Sequence, residues 1–240
     1  MYYPLVIAHR GASSYAPENT MEAFELAIEL GADFIEFDVR KTIDDILVIH
    51  HDPEIITAGQ TSMINNISYA QLLALAPYPV PTLEDVLTVF SKRVRFDIEL
   101  KEAGYEVFFL KSVFEQLKRN DFIITSFNDG TISTIKELSP KIKAGLILGI
   151  GKPRNLAATR YTELFPWNRL KKCGADFAAP HYKLLNPLFM QTAARKHFPI
   201  FAWTVDEPEL VKKLIRQNVR GIITNKPDVV VAIRDDKNNR

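Results

Sequence analysis

The chain has 240 residues, 47% of them hydrophobic and 25% charged, with a formal net charge of +1. That balance provides a sizeable core and lacks the basic excess that usually marks binding to nucleic acid or an anionic membrane surface. The single cysteine, Cys173, excludes an internal disulfide and a cysteine-built zinc site, and it fits a reducing compartment.

Taken in chain order, the N-terminal MYYPLVIAHRG carries no basic segment followed by a long apolar stretch, and LVIAHR (5–10) reads as a first strand. No window reaches the roughly 18 apolar residues of a membrane span, so a cytoplasmic protein without a stable membrane anchor is expected. Asn19 with Glu22 forms a capping-box pattern, and Met21, Phe24 and Ile28 then make one apolar stripe that ends at Gly31. FIEFDV (34–39) and ILVIHH (46–51) read as strands, the second running back along the first through the Asp-Asp turn at 44–45. Residues 53–81 are weakly patterned and read as an insertion. Thr82 opens the helical LEDVLTVF, and RFDIEL (95–100), FIITSF (122–127), KAGLIL (143–148) and FAAPHY (177–182) are further strands. Asn186 with Pro187 opens a helix, PIFAWTV (199–205) is a strand, Asp206 opens EPELVKKLIRQ, and GIITN (221–225) is the last strand. The tetrapeptide GADF occurs at 31–34 and again at 174–177, each time where a helix gives way to a strand.

Strands alternating with helices, and strands that are mostly continuous apolar runs, argue for a parallel sheet covered by helices. Nine strand candidates fit an α/β fold of the (β/α)8 TIM barrel type, with one extra pairing and a short insertion at 53–81, in one domain over 1–240. A doubly wound open sheet is the alternative, weakened by the absence of a G-x-G-x-x-G turn or P-loop.

The strands stop being apolar at one end. His9 and Arg10 close the first, Glu36 and Asp38 interrupt the second, and His50, His51 and Asp52 close the third. Asp97, Glu99 and Lys101 alternate on one face at the end of RFDIELK, and Trp203 lies near the end of PIFAWTV. Each has an ordinary structural use taken alone: a hydrogen-bonded strand-end histidine, acids on a solvent face, a core tryptophan. In a barrel, however, these strand ends converge on the rim where catalytic groups sit. Three carboxylates held together in a partly dry cleft repel, and a divalent cation removes the conflict. All-carboxylate ligation selects Mg²⁺ or Ca²⁺ over zinc. Arg10 and Lys101 supply charge suited to a phosphate, and histidines from different strands can serve as general base and general acid. The combination points to phosphoryl-ester cleavage.

These residues resemble the glycerophosphodiester phosphodiesterase family. The likeness lies in HRG, PENT, GAD-x-IE-x-DV, T-x-D and HD within residues 8–53, then VPTLEDVL (80–87), IELK (98–101), SF (126–127), AWTV (202–205) and GIIT-x-x-P (221–227). The resemblance implies a barrel hydrolase with a small insertion after the HD motif. It makes His9 and His51 the acid–base pair, and Glu36, Asp38 and Glu99 the ligands of a divalent metal, Mg²⁺ or Ca²⁺. Arg10 and Lys101 become phosphate contacts, and Trp203 part of the substrate pocket. The implied substrate is a small glycerophosphodiester, hydrolysed to glycerol 3-phosphate and an alcohol. Which alcohol, which histidine begins as base and the oligomeric state stay open. Action on lysophospholipids or phosphoinositides is a nearer alternative, for which residues 69–80 are the one candidate apolar lip. A non-catalytic phosphate- or metal-binding barrel is a more distant one. His50 has no counterpart in the resemblance and is expected to be structural. Two departures stand out: EIITAGQTS (54–62) where an Arg-Thr-Thr run is frequent, which puts leaving-group recognition in question, and Asn225 where an Asp is usual. Asn225 reads as a loop substitution that leaves the proposed catalytic set untouched.

Overall fold

The computed structural model describes residues 3–57, 59–149 and 156–236. In chain order the elements are β1 (Leu5–His9), α1 (Met21–Glu29), β2 (Phe34–Lys41), β3 (Leu47–Ile49), β4 (Glu54–Thr57), β5 (Gln60–Met63), α2 (Tyr69–Leu75), α3 (Leu83–Phe90) and β6 (Arg95–Leu100). There follow α4 (Glu106–Phe114), β7 (Phe122–Ser126), α5 (Asp129–Leu138), β8 (Ala144–Leu148), α6 (Leu156–Leu164), α7 (Trp167–Cys173) and β9 (Phe177–Pro180). The chain continues with α8 (Pro187–Arg195), β10 (Phe201–Ala202), α9 (Pro208–Arg216), β11 (Gly221–Thr224) and α10 (Pro227–Asp236).

Eight strands lie side by side in the order β10-β11-β1-β2-β6-β7-β8-β9. All neighbours on this path pair in parallel. Parallel bridges Ala178↔Ile200 and His181↔Trp203 join β9 to the chain on either side of β10, which nearly closes the (β/α)8 barrel. The regular part of β10 is therefore only two residues, shorter than the run at 199–205 suggested. β3 pairs antiparallel with β2, Val39 facing Ile49 and Lys41 facing Leu47. Asp45, with φ 62°, makes the turn between them in a left-handed conformation that Asp tolerates.

Alternation along each strand sorts the side chains. On β2, Ile35, Phe37 and Val39 face outward into the main core beneath the helices, while Phe34 joins the barrel interior with Ile7, Ile147, Phe177, Ala179, Phe201 and Ile223. Glu36 and Asp38 share the Phe34 side, so the acids in this apolar strand point into the barrel. The end of the interior away from the strand C-termini is filled by Phe177 and Phe201, whose ring centroids are 4.5 Å apart. A Cβ on Gly145 would sit 2.0 Å from the Phe177 ring, so this position must stay bare.

The repeated GADF marks one recurring device. Asp33 accepts from Val6 N at 2.7 Å and pairs with Arg234, while Asp176 accepts from Ala144 N at 3.0 Å and pairs with Lys136. In both, the Asp after a left-handed Gly ties the incoming strand to its neighbour.

Two helix starts differ from the sequence reading. Thr20, not Asn19, caps α1 by accepting from Ala23 N; Asn19 has φ 58° and turns its side chain to the site. Glu207, not Asp206, stands at the start of α9, because the Asp206 carboxylate is engaged by the end of β11. Thr82 and the Asn186-Pro187 pair open their helices as expected, and Thr82 does so through a capping box with Asp85. The insertion is better ordered than its composition suggested: it forms the β4–β5 hairpin and α2, with a small core of its own built from Val48, Ile55, Ile64, Leu72 and Val80. Among the described residues no helix is long and apolar enough to cross a membrane.

Candidate active site

A cavity of about 280 Å³ opens at the C-terminal ends of the barrel strands. His9, Arg10, Glu36, His51, Asp97, Glu99 and Lys101 line its polar side, and Phe127, Ile147, Ala179, Trp203 and Ile223 its apolar side. Of the site residues that the family resemblance implied, all but Asp38 line it directly, whereas His50 and Asp52 from the end of the third strand do not. Asp38 is fully buried beside it.

Glu36 and Asp38 come from β2 and Glu99 from β6, where Asp38 and Glu99 are register partners. One ligand oxygen from each of the three lies within 4.8 Å of the others. Burial and the neighbouring Asp38 and Glu99 charges push Glu36 well above the usual carboxylate range. Burial also pushes Glu99 and Asp97 up to about 7. Asp38 behaves oppositely: although burial opposes ionisation, the Lys101 and Arg10 charges hold it below the usual range. Lys101 Nζ stands 2.6 Å from Glu99 Oε1 and 3.1 Å from Asp38 Oδ1. Arg10 Nε is 3.2 Å from Asp38 Oδ2, and its backbone N–H donates to Glu36 Oε2 at 2.8 Å. The Arg10 Nη1 also grips both oxygens of Glu18 at 2.9 Å. Two cations among this many acids leave the cluster short of positive charge, and protonation is the remaining relief. Three buried oxygen donors in that state fit a hard divalent cation.

The two histidines are held differently. His9, at the end of β1, places Nδ1 2.7 Å from Asn225 Oδ1, and burial with the Arg10 charge pushes it down to about 4. His51, beyond β3, places Nδ1 2.8 Å from Asp52 Oδ1, and burial with the Lys101 charge pushes it down as well. His50 turns elsewhere, with its Nδ1 3.0 Å from the Asp52 carbonyl. Trp203 is fixed by its indole N–H, which donates to Ala179 O at 2.8 Å, and meets Phe127 edge-on at 5.7 Å.

Three supporting residues were missed or misread. Asn225 is no bystander, since it touches His9. Asn19, read as a helix cap, donates from Nδ2 to Asp38 Oδ2 at 2.8 Å. Arg40 donates from Nε and Nη2 to the His51 carbonyl at 3.0 and 2.5 Å and pairs with Glu102. Arg40 shares the barrel-facing parity of Glu36 and Asp38, which was the one available signal.

Comparison with known proteins places this geometry. The sequence profile of the glycerophosphoryl diester phosphodiesterase family matches residues 9–229. The chain belongs to that family. It is thus an enzyme of the phosphoric diester hydrolase class. A glycerophosphodiester phosphodiesterase of Caldanaerobacter subterraneus subsp. tengcongensis is 31% identical over 246 residues, covering 95% of this chain and 97% of its own. A glycerophosphodiester phosphodiesterase structure from Parabacteroides distasonis superposes with TM-score 0.82 at 26% identity, covering 99% of each chain. A phosphodiesterase of Oleispira antarctica, solved in complex with the product sn-glycerol-3-phosphate, shares the fold with TM-score 0.82 at 24% identity and covers 97% of each chain.

Proposed function

We propose that the protein hydrolyses small glycerophosphodiesters to glycerol 3-phosphate and an alcohol, using a divalent cation and a histidine acid–base pair. The observation that carries this reading is the convergence of His9, His51 and the Glu36–Asp38–Glu99 cluster on one cavity in a chain of this family. Glu36, Asp38 and Glu99 would hold the cation, Mg²⁺ or Ca²⁺, which when bound supplies Lewis-acid charge at a phosphoryl oxygen. Arg10 and Lys101 would add positive charge beside the phosphate as its negative charge builds up. One histidine takes the proton from the glycerol 2-hydroxyl as that oxygen attacks phosphorus, and the other gives a proton to the departing alcohol oxygen. A water then opens the cyclic phosphate with the two roles exchanged. The apolar wall of Phe127, Ile147 and Trp203 would pack the glycerol carbons and exclude bulk water.

A small, water-soluble diester is favoured over a lysophospholipid by the state of residues 69–80. Leu72 and Val80 are buried in the insertion core, and Tyr69, Leu75, Ala76 and Tyr78 pack against it, so the apolar side chains of that segment are mostly spent on folding. The test is a panel of glycerophosphodiesters with a coupled glycerol 3-phosphate readout, with Mg²⁺, with Ca²⁺ and with EDTA. Turnover that depends on the cation is expected. No turnover on any diester by cation-loaded protein would leave a phosphate- or metal-binding barrel instead.

A further inference from the structure

His9 is held by a pair of side chains from the far end of the chain. Asn225, immediately after β11, receives its Nδ1 on Oδ1 at 2.7 Å. The Asn225 amide is itself oriented from behind, because Nδ2 donates to Asp206 Oδ2 at 2.7 Å and its backbone N–H donates to Asp206 Oδ1 at 2.8 Å. Thr224 Oγ1 is the third donor to that carboxylate, at 2.9 Å. Asp206 receives donors on both oxygens, so the NH₂ of Asn225 must face it and the amide oxygen must face His9. Ser13 closes the arrangement from the loop after β1: its hydroxyl lies 2.7 Å from the His9 carbonyl and 2.9 Å from Asn225 Oδ1. An amide oxygen cannot donate. The ring nitrogen that meets it must therefore carry the proton, and the tautomer of neutral His9 is settled by its partner. Nε2, which has no hydrogen-bond partner among the described residues, keeps its lone pair on the ring of a residue that lines the cavity.

We propose that Asn225, locked by Asp206, is a positioning residue that fixes His9 in its Nδ1–H tautomer and presents Nε2 to the substrate. The pair supplies orientation without placing a carboxylate in contact with the imidazole, since the partner in contact is neutral. The inference rests on the reading of His9 as an acid–base group, and it assigns to Asn225 and Asp206 a role in that group's aim.

The experiment uses the full chain labelled with ¹⁵N-histidine and long-range ¹H–¹⁵N NMR at neutral pH, with no substrate present. The chain has five histidines, and the signal lost in His9→Gln identifies the one in question. The wild-type ring is expected to be protonated on Nδ1. In Asn225→Leu, which keeps the branched shape and removes the side-chain hydrogen bonds, the Nε2–H form should appear and kcat should fall roughly 10–100-fold with KM little changed. If Asn225→Leu does not fold, Asp206→Asn carries the same criteria, because the amide is then no longer forced to face its oxygen to His9. A wild-type His9 protonated on Nε2 would overturn the proposal, as would an unchanged tautomer and kcat in the folded variant. The NMR arm needs no turnover. A protein inactive on every diester but carrying Nδ1–H His9 would sink the proposed function and leave this inference standing.

Discussion

His9 and His51 are offered the same kind of contact, an oxygen on Nδ1, by very different surroundings. His9 ends a barrel strand and meets the neutral amide of Asn225, brought by another strand and fixed from behind by Asp206. His51 stands in the loop before the insertion and meets the carboxylate of its own neighbour Asp52, which is two-thirds exposed. What steadies His51 is its backbone, through Arg40. An amide holds a neutral ring in place, whereas a carboxylate also favours the imidazolium. One histidine is thus aimed by its side-chain partner and kept uncharged; the other is aimed by its main chain, beside a carboxylate that offsets part of the burial and Lys101 charge pushing it down.

The comparison is broken most directly by removing either ring. His9→Ala and His51→Ala should each lower kcat by about 10²–10⁴-fold with the fold intact by circular dichroism. A folded variant that retains more than a tenth of wild-type kcat would remove that histidine from the chemistry. A smaller effect concerns the cation, two of whose candidate ligands, Glu36 and Glu99, line the same cavity as both rings. Glu99 and Asp97 lie near 7 without it, above their unfolded values, so between pH 5 and 8 the cation-free protein loses stability as these groups are forced to ionise. Glu99 is a candidate ligand, so a cation must displace its proton more often at pH 5.5 than at pH 8. The rise in Tm on adding Mg²⁺ or Ca²⁺ should therefore be larger at pH 8; at a hundredfold excess over Kd it should reach about 2.7 kcal/mol, or roughly 5–10 °C. An equal shift at both pH values would detach these carboxylates from cation binding. The smallest effect is expected of Arg40→Met, which frees the His51 carbonyl: kcat should fall roughly tenfold, and no further loss should appear in a His51→Ala background. An additional loss there would mean that Arg40 serves something other than His51.

Most of the barrel was legible because its signals are local. Strand periodicity placed Glu36 and Asp38 on one face, and the polar strand ends pointed to one rim. The supporting contacts were illegible for the opposite reason. Asn225 lies 216 residues from His9 and Asn19 lies 19 residues from Asp38, and nothing in either neighbourhood announces the partner. Asn19 and Asp206 were misread because Asn and Asp before a helix are ordinary caps, and here tertiary contacts claimed both side chains. The insertion looked weakly patterned because its strands are short and its apolar residues are arranged to cover one another rather than to follow one period.

The tilted rings of Phe177 and Phe201, which fit because position 145 lacks a side chain, fill one end of the barrel interior. Among the described residues, the cavity opens at the other end, where the C-termini of the barrel strands lie. In the proposed reaction, substrate, water and both products would share that opening, so water for the second half could not be fed from below while the first alcohol is leaving. Traffic through that opening, bordered by His51 and therefore by the root of the insertion, would then set the order in which molecules come and go.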